Sequence, residues 1–280
     1  MSKPNRRTTS EARVEASMAA QRTKYARVQL SKGPATYWKS SGYNLLYRFA
    51  QFEPGKRYNM VDLMSGAGLF GKNMAKRAQK AGCTVTTTFV DITPEQLAKI
   101  RPTWTRATKN RPTFKTLELE GSYHRVLTRY GIKNYQPKEQ LKLLKEAARL
   151  LSPGGKFVMQ DMVSPEGLRG LMNAERRAKN RATGETITRP NLPTEKQWVR
   201  MIKQAGMAVE EITYSTSTVN TKNWVDSKQL TEDGVRQYIS TLEKIMGKDP
   251  RLKKALKIKK RGNHYEITYP LILIRAGKAR

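Results

Sequence analysis

Val61-Asp62-Leu63-Met64-Ser65-Gly66-Ala67-Gly68 decides the fold of this chain. It closes a run of strand-forming residues from Tyr58 to Met64 and opens a helical pattern from Leu69 to Lys80. Glycine has no Cβ, so Gly66 and Gly68 let the backbone turn sharply and approach a ligand closely. The helix that follows offers free N–H groups, which suit an anionic group. Asp91 ends a second β-branched run, Thr84 to Val90. An acid about 20 residues beyond a glycine turn, in a strand–helix–strand frame, receives ribose hydroxyls.

Working outward, the alternation continues. Pro94 to Ile100 reads as a short helix, and Gln136 to Leu151 as a longer one with apolar residues at helical spacing. Ser152-Pro153-Gly154-Gly155 ends that helix, and Lys156 to Met162 is the next strand. Helix returns over Thr194 to Ala205, followed by strand from Met207 to Tyr214. Thr231 is placed to cap a helix through Leu242, and Tyr265 to Ile274 is a closing strand. Such alternation predicts an α/β fold, a mostly parallel sheet with helices on both faces. Ser164 to Pro193 reads as an inserted loop or short helix rich in arginine.

Charge is the extreme property. Lys and Arg number 54 against 23 Asp and Glu, a net +31. A field of that size attracts polyanions such as RNA, DNA or an anionic membrane. The basic residues gather in the N-terminal arm, between Arg169 and Arg189, and between Arg251 and Arg261. The single cysteine, Cys83, excludes an intramolecular disulfide, and with only His124 and His264 beside it no Cys/His zinc site is expected. No apolar run is long enough to cross a membrane as a helix. The arm lacks a secretory apolar core, so the expected location is the cytoplasm, with an organellar matrix as the alternative.

The motifs together resemble the class I S-adenosylmethionine (SAM)-dependent methyltransferases. Asp62 to Gly68 is similar to that family's cofactor motif, Asp-x-Gly-x-Gly-x-Gly, and Val90-Asp91-Ile92 to its ribose acid. Leu150 to Val158 is similar to its Leu-x-Pro-Gly-Gly turn into strand five, and Ile267 to Ile274 to its antiparallel last strand. The resemblance spans Tyr37 to Arg275 and is nearest to the type 11, quinone C-methyltransferase-like branch.

It implies a Rossmann-like fold, a seven-stranded sheet and SAM as cofactor, in a domain of residues 34–280 preceded by a basic arm of residues 1–33. It also implies cofactor contacts from Asp62, Met64, Ser65, Gly66, Gly68, Asp91, Ile92 and Arg129. Tyr130, with Arg176, Arg177 and Lys179 of the insertion, is expected to meet the acceptor, a small molecule or RNA; no catalytic residue is assigned.

Two positions depart from the family pattern. Met64 stands where the first glycine belongs, which predicts crowding of the pocket. Leu117 to Leu119 and His124 to Leu127 lie too close for a parallel crossover. Either they form a hairpin or strand three lies earlier, near Thr113, and Glu118 and Glu120 are weak candidates for an adenine-binding acid. His124 is expected to be structural, and Cys83 falls at the wrong end of the sheet for chemistry. A degenerate fold serving as an RNA-binding or ribonucleoprotein component is the competing reading.

Overall fold

The computed structural model describes residues 42–91, 94–108, 122–182, 191–226, 230–262 and 264–279. The basic arm, Ile92, Leu117 to Leu119, Glu118, Glu120 and Arg189 lie outside the described residues.

The chain enters through α1 (Tyr43–Ala50), then alternates: β1 (Arg57–Leu63), α2 (Leu69–Lys80), β2 (Thr84–Asp91), α3 (Pro94–Leu97), β3 (Thr105–Thr108) and β4 (Tyr123–Arg129). After β4 come α4 (Pro137–Leu150), β5 (Leu151–Met162), α5 (Arg169–Ala182), α6 (Glu195–Gln204) and β6 (Met207–Asn220). The remainder is α7 (Thr221–Asp226), α8 (Glu232–Lys248), α9 (Arg251–Ala255), β7 (Lys259–Arg261) and β8 (His264–Lys278). The sheet order is β3-β2-β1-β4-β5-β8-β6, with β7 attached to β8 alone. The first five strands are mutually parallel, and β8 runs antiparallel to both β5 and β6. Eight strands therefore replace the seven expected, the addition being the three-residue β7.

Helix starts follow local chemistry. Thr194 and Gln197 exchange side-chain and backbone hydrogen bonds at the start of α6, and Thr231 Oγ1 accepts from Gly234 N at 3.0 Å in α8. One sheet face buries Val61, Val126, Phe157 and Ile274 under α4 and α6, and the other buries Met60, Leu127, Val158 and Leu273 under α1 and α2. β3 pairs parallel with β2, Thr88 opposite Thr105, ahead of the expected place near Thr113; the hairpin alternative involves Leu117 to Leu119, outside the described residues.

Three elements outgrow their sequence limits. β5 begins at Leu151 because Tyr123 of β4 pairs with it, an irregular register absorbing the Pro-Gly-Gly turn. β6 and β8 continue past the last β5 pair, Met162 with Leu271, as far as Asn220 opposite Glu266. That overhang carries α5, α8 and α9 around a third apolar cluster, including Met172, Tyr238, Leu252, Leu256 and Ile267. It forms a cap beyond the carboxyl ends of the parallel strands.

Of the loop or short helix expected for the insertion, its described part contains a helix, the 14-residue α5. Its buried face holds Glu175, Arg176 and Asn180 beside Met172 and Ala178, so apolar spacing alone does not reveal it. Glu175 Oε1 accepts from the hydroxyls of Tyr238 at 2.6 Å and Tyr269 at 2.7 Å, tying α5 to α8 and to β8.

Candidate cofactor and acceptor site

The β1–α2 turn is held in an unusual backbone shape. Met64, Gly66 and Gly68 all have positive φ, at 58°, 53° and 73°. Ser65 N donates to Val90 O at 3.0 Å, and Gly66 N donates to Asp91 Oδ2 at 2.7 Å. Glycine turn and strand-end acid are therefore joined directly.

Asp62 plays a different part. It is 1% exposed, and its Oδ2 accepts from Gly71 N at 2.9 Å, filling a helix N-terminal donor that would otherwise lack an acceptor. Burial is the main cause that pushes its carboxyl up to about 7; the Gly71 N–H opposes, the Asp91 charge adds, and Arg129 opposes. Gly71 is a residue the sequence reading missed. A Cβ there would lie 2.7 Å from the Phe89 ring and 2.8 Å from Asp62 Oδ2, so α2 can approach the sheet only over glycine. The signal was present: Gly66, Gly68 and Gly71 complete the G-x-G-x-x-G spacing, whose third glycine permits close helix–strand packing.

At the end of β4, Arg129 is neither solvated nor reaching outward. Its Nε donates to Gln160 Oε1 at 2.7 Å, its Nη1 to Tyr43 Oη at 3.1 Å, and its guanidinium lies 4.6 Å and 4.7 Å from the Tyr43 and Tyr130 ring centres. Tyr130 has φ 57° and donates its N–H to Gln160 O at 2.9 Å. Its ring packs against the cap cluster. Lys133, also missed, donates through Nζ to Tyr130 O at 2.5 Å and pairs with Asp161 at 3.4 Å, both side chains under a tenth exposed.

The three basic residues expected at the acceptor do not share one face of α5. Arg176 is buried, Arg177 is exposed and Lys179 half-buried, because consecutive helix positions face different ways. His124 lies in β4, and its Nδ1 accepts from Asn59 N at 2.9 Å, a structural part as expected. Cys83 is buried at the amino end of β2 against Glu53 O.

Residues 60–155 match a family described as Methyltransferase domain. That segment, from β1 to the turn inside β5, is similar to a methyltransferase domain. The fold has solved counterparts. A candidate methyltransferase from Bacillus halodurans C-125 is 17% identical, with a TM-score of 0.69 over 85% of this chain and 99% of that one. An S-adenosylmethionine-dependent methyltransferase from Mesorhizobium loti is 15% identical, with a TM-score of 0.52 over 86% of this chain and 99% of that one. A candidate methyltransferase of Haloferax volcanii, solved with the Trm112 methyltransferase activator, is 13% identical, with a TM-score of 0.54 over 99% and 100%. No curated protein sequence matches this chain.

The β1–α2 turn fits the cofactor that the methyltransferase likeness implies. Ser65 Oγ is buried with no hydrogen-bond partner among the described residues, at a turn whose φ values favour glycine. No helix among the described residues is long and apolar enough to cross a membrane.

Proposed function

We propose that this chain is an active SAM-dependent methyltransferase whose acceptor is RNA. The observation that carries the first half is the Gly66–Asp91 hydrogen bond, which joins the glycine turn to the acid expected at the ribose. Asp91 receives the ribose hydroxyls, Ser65 and the turn amides hold the rest of the cofactor, and Gly71 lets α2 bring its N-terminus close. Bound at that turn, SAM would supply an electrophilic methyl group whose leaving group is a neutral thioether. The protein's work is then alignment. Tyr130, held in its left-handed bend by Lys133 and Gln160, stands between cofactor turn and cap, where it orients the acceptor.

The net +31 supports RNA over the small quinone-like acceptor that the type 11 resemblance suggests. Because Arg176, Arg177 and Lys179 face different ways, the acceptor contact is assigned to Tyr130 alone. Calorimetry tests the enzyme reading: micromolar SAM binding and transfer of labelled methyl to RNA are expected. Absence of SAM binding by the folded chain would turn the reading to a degenerate RNA-binding component.

A further inference from the structure

Five lysines, Lys253, Lys254, Lys257, Lys259 and Lys260, stand on α9, on β7 and on the turn between them at the outer end of the cap, and all are exposed. The residues between them are anchors. Leu252 and Leu256 are fully buried and Ile258 is 7% exposed. Ile258 N donates to Lys253 O at 3.2 Å, Thr268 N to Leu256 O at 2.7 Å, and Lys257 turns the chain at φ 43°. The lysines are therefore presented by a fixed backbone.

Their charges are left uncompensated. Arg251 and Arg261, which flank the group, pair with Asp249 and Glu266. None of the five lysines makes an ion pair among the described residues. A surface serving solubility alone intersperses both signs. Like charges held this close repel, and a polyanion relieves that repulsion.

Position gives the group meaning. Lys259 pairs with Glu266, five residues beyond Leu271, which faces the last residue of β5. At about 3.3 Å per residue, the lysines project roughly 17 Å past the carboxyl end of β5, on the side where the cofactor turn lies. Insertion into lipid needs exposed apolar side chains beside the cations. The exposed large apolar residues among those described are Leu69 and Tyr214, neither on this ribbon.

Resting on the RNA reading above, we infer that the α9–β7 ribbon is the docking surface for the phosphodiester backbone of the nucleic acid. Lysines act as point charges toward phosphate, and no aromatic ring is offered here for stacking, so the contact is independent of sequence.

The test uses the full chain and fluorescence anisotropy with a single-stranded 20-mer, as RNA and as DNA of the same sequence. One triple variant is K257Q/K259Q/K260Q. The control, K76Q/K80Q/K142Q, removes the same charge from exposed positions on α2 and α4. The ribbon variant should lose at least tenfold in affinity at low salt, and its log–log salt slope should shrink by about 2, at roughly 0.7 per phosphate contact. The control should lose less than threefold and keep its slope. Tighter binding of RNA than DNA assigns the backbone to RNA, and equal binding assigns it to either. Equal losses from the two triples, or binding to phosphatidylserine vesicles without binding to oligonucleotide, would overturn the inference. SAM calorimetry on the same proteins separates the readings: a chain that binds no SAM but loses RNA through the ribbon sinks the enzyme and leaves the docking surface.

Discussion

A Cβ added to Gly131 would lie 2.3 Å from Met64 Sδ, so these two residues share one space at the ends of β1 and β4. Gly131 has φ −100°, which any residue adopts; it is glycine for room, not for conformation. Met64 is the converse, a long side chain in the left-handed region at φ 58°. Its thioether lies over Gly131 and packs against the core beneath, so the crowding that its position predicts falls on Gly131.

Gly131→Ala should cost about 1–3 kcal/mol, as overpacking does. Met64→Gly should relieve backbone strain, lose packing, and bind SAM as well as the natural chain or better. In the double variant the alanine finds vacated space, and its cost should fall below the sum of the singles. Denaturant melts and SAM titrations of the four proteins check this; simple additivity would show that the two side chains do not compete.

Asp62 makes stability depend on pH in a definite direction. Its folded value of about 7 lies above the ordinary carboxylate value of 3.8, so the folded state binds the proton more tightly. The contribution is fully present below about pH 4, is lost as pH rises toward 7, and is constant above. Asp62→Asn keeps an acceptor for Gly71 N and removes the ionisation. It should be more stable than the natural chain at pH 8, by no more than about 4 kcal/mol, and the gap should close by pH 4. A gap that stays constant across pH would mean that Asp62 is ionised throughout.

Asp91→Ala removes both the acceptor for Gly66 N and the ribose ligand. SAM affinity should fall by about 1.5–3 kcal/mol, the worth of a hydrogen bond to a charged group. Gly66→Val should abolish SAM binding in a protein that still melts cooperatively. Full affinity in Asp91→Ala would remove the ribose role.

Lys133→Met would leave Asp161 a buried charge without its ammonium, which costs about 3–5 kcal/mol. Lys133→Met with Asp161→Leu should recover part of that loss. Thermal melts of the pair decide between a true buried ion pair and a contact of no energetic weight.

Much of this was legible from sequence because local chemistry and tertiary structure agreed. Leu69–Lys80 forms the expected helix residue for residue, and the Gly66, Gly68 and Asp91 frame announces itself by spacing. What escaped was fixed by partners distant in sequence. Arg129 looks like a surface or ligand residue until Tyr43 and Gln160 close on it. α5 hid because its buried face is polar, its carboxylate answered by tyrosines 63 and 94 positions away. Lys133 reads as a solvated lysine, since nothing nearby in sequence foretells Asp161.

The overhang of β8 has one further consequence. A single strand runs from His264 in the cap to Lys278 in the core, hydrogen-bonded to β6 from Glu266 to the end, with no linker between the two regions. A body joined in this way has no hinge. It opens only by breaking the ladder that the core also depends on, so cap and core form one cooperative unit. Amide hydrogen exchange at Ile267 and Tyr269 should then report the same opening free energy as at Leu271 and Leu273.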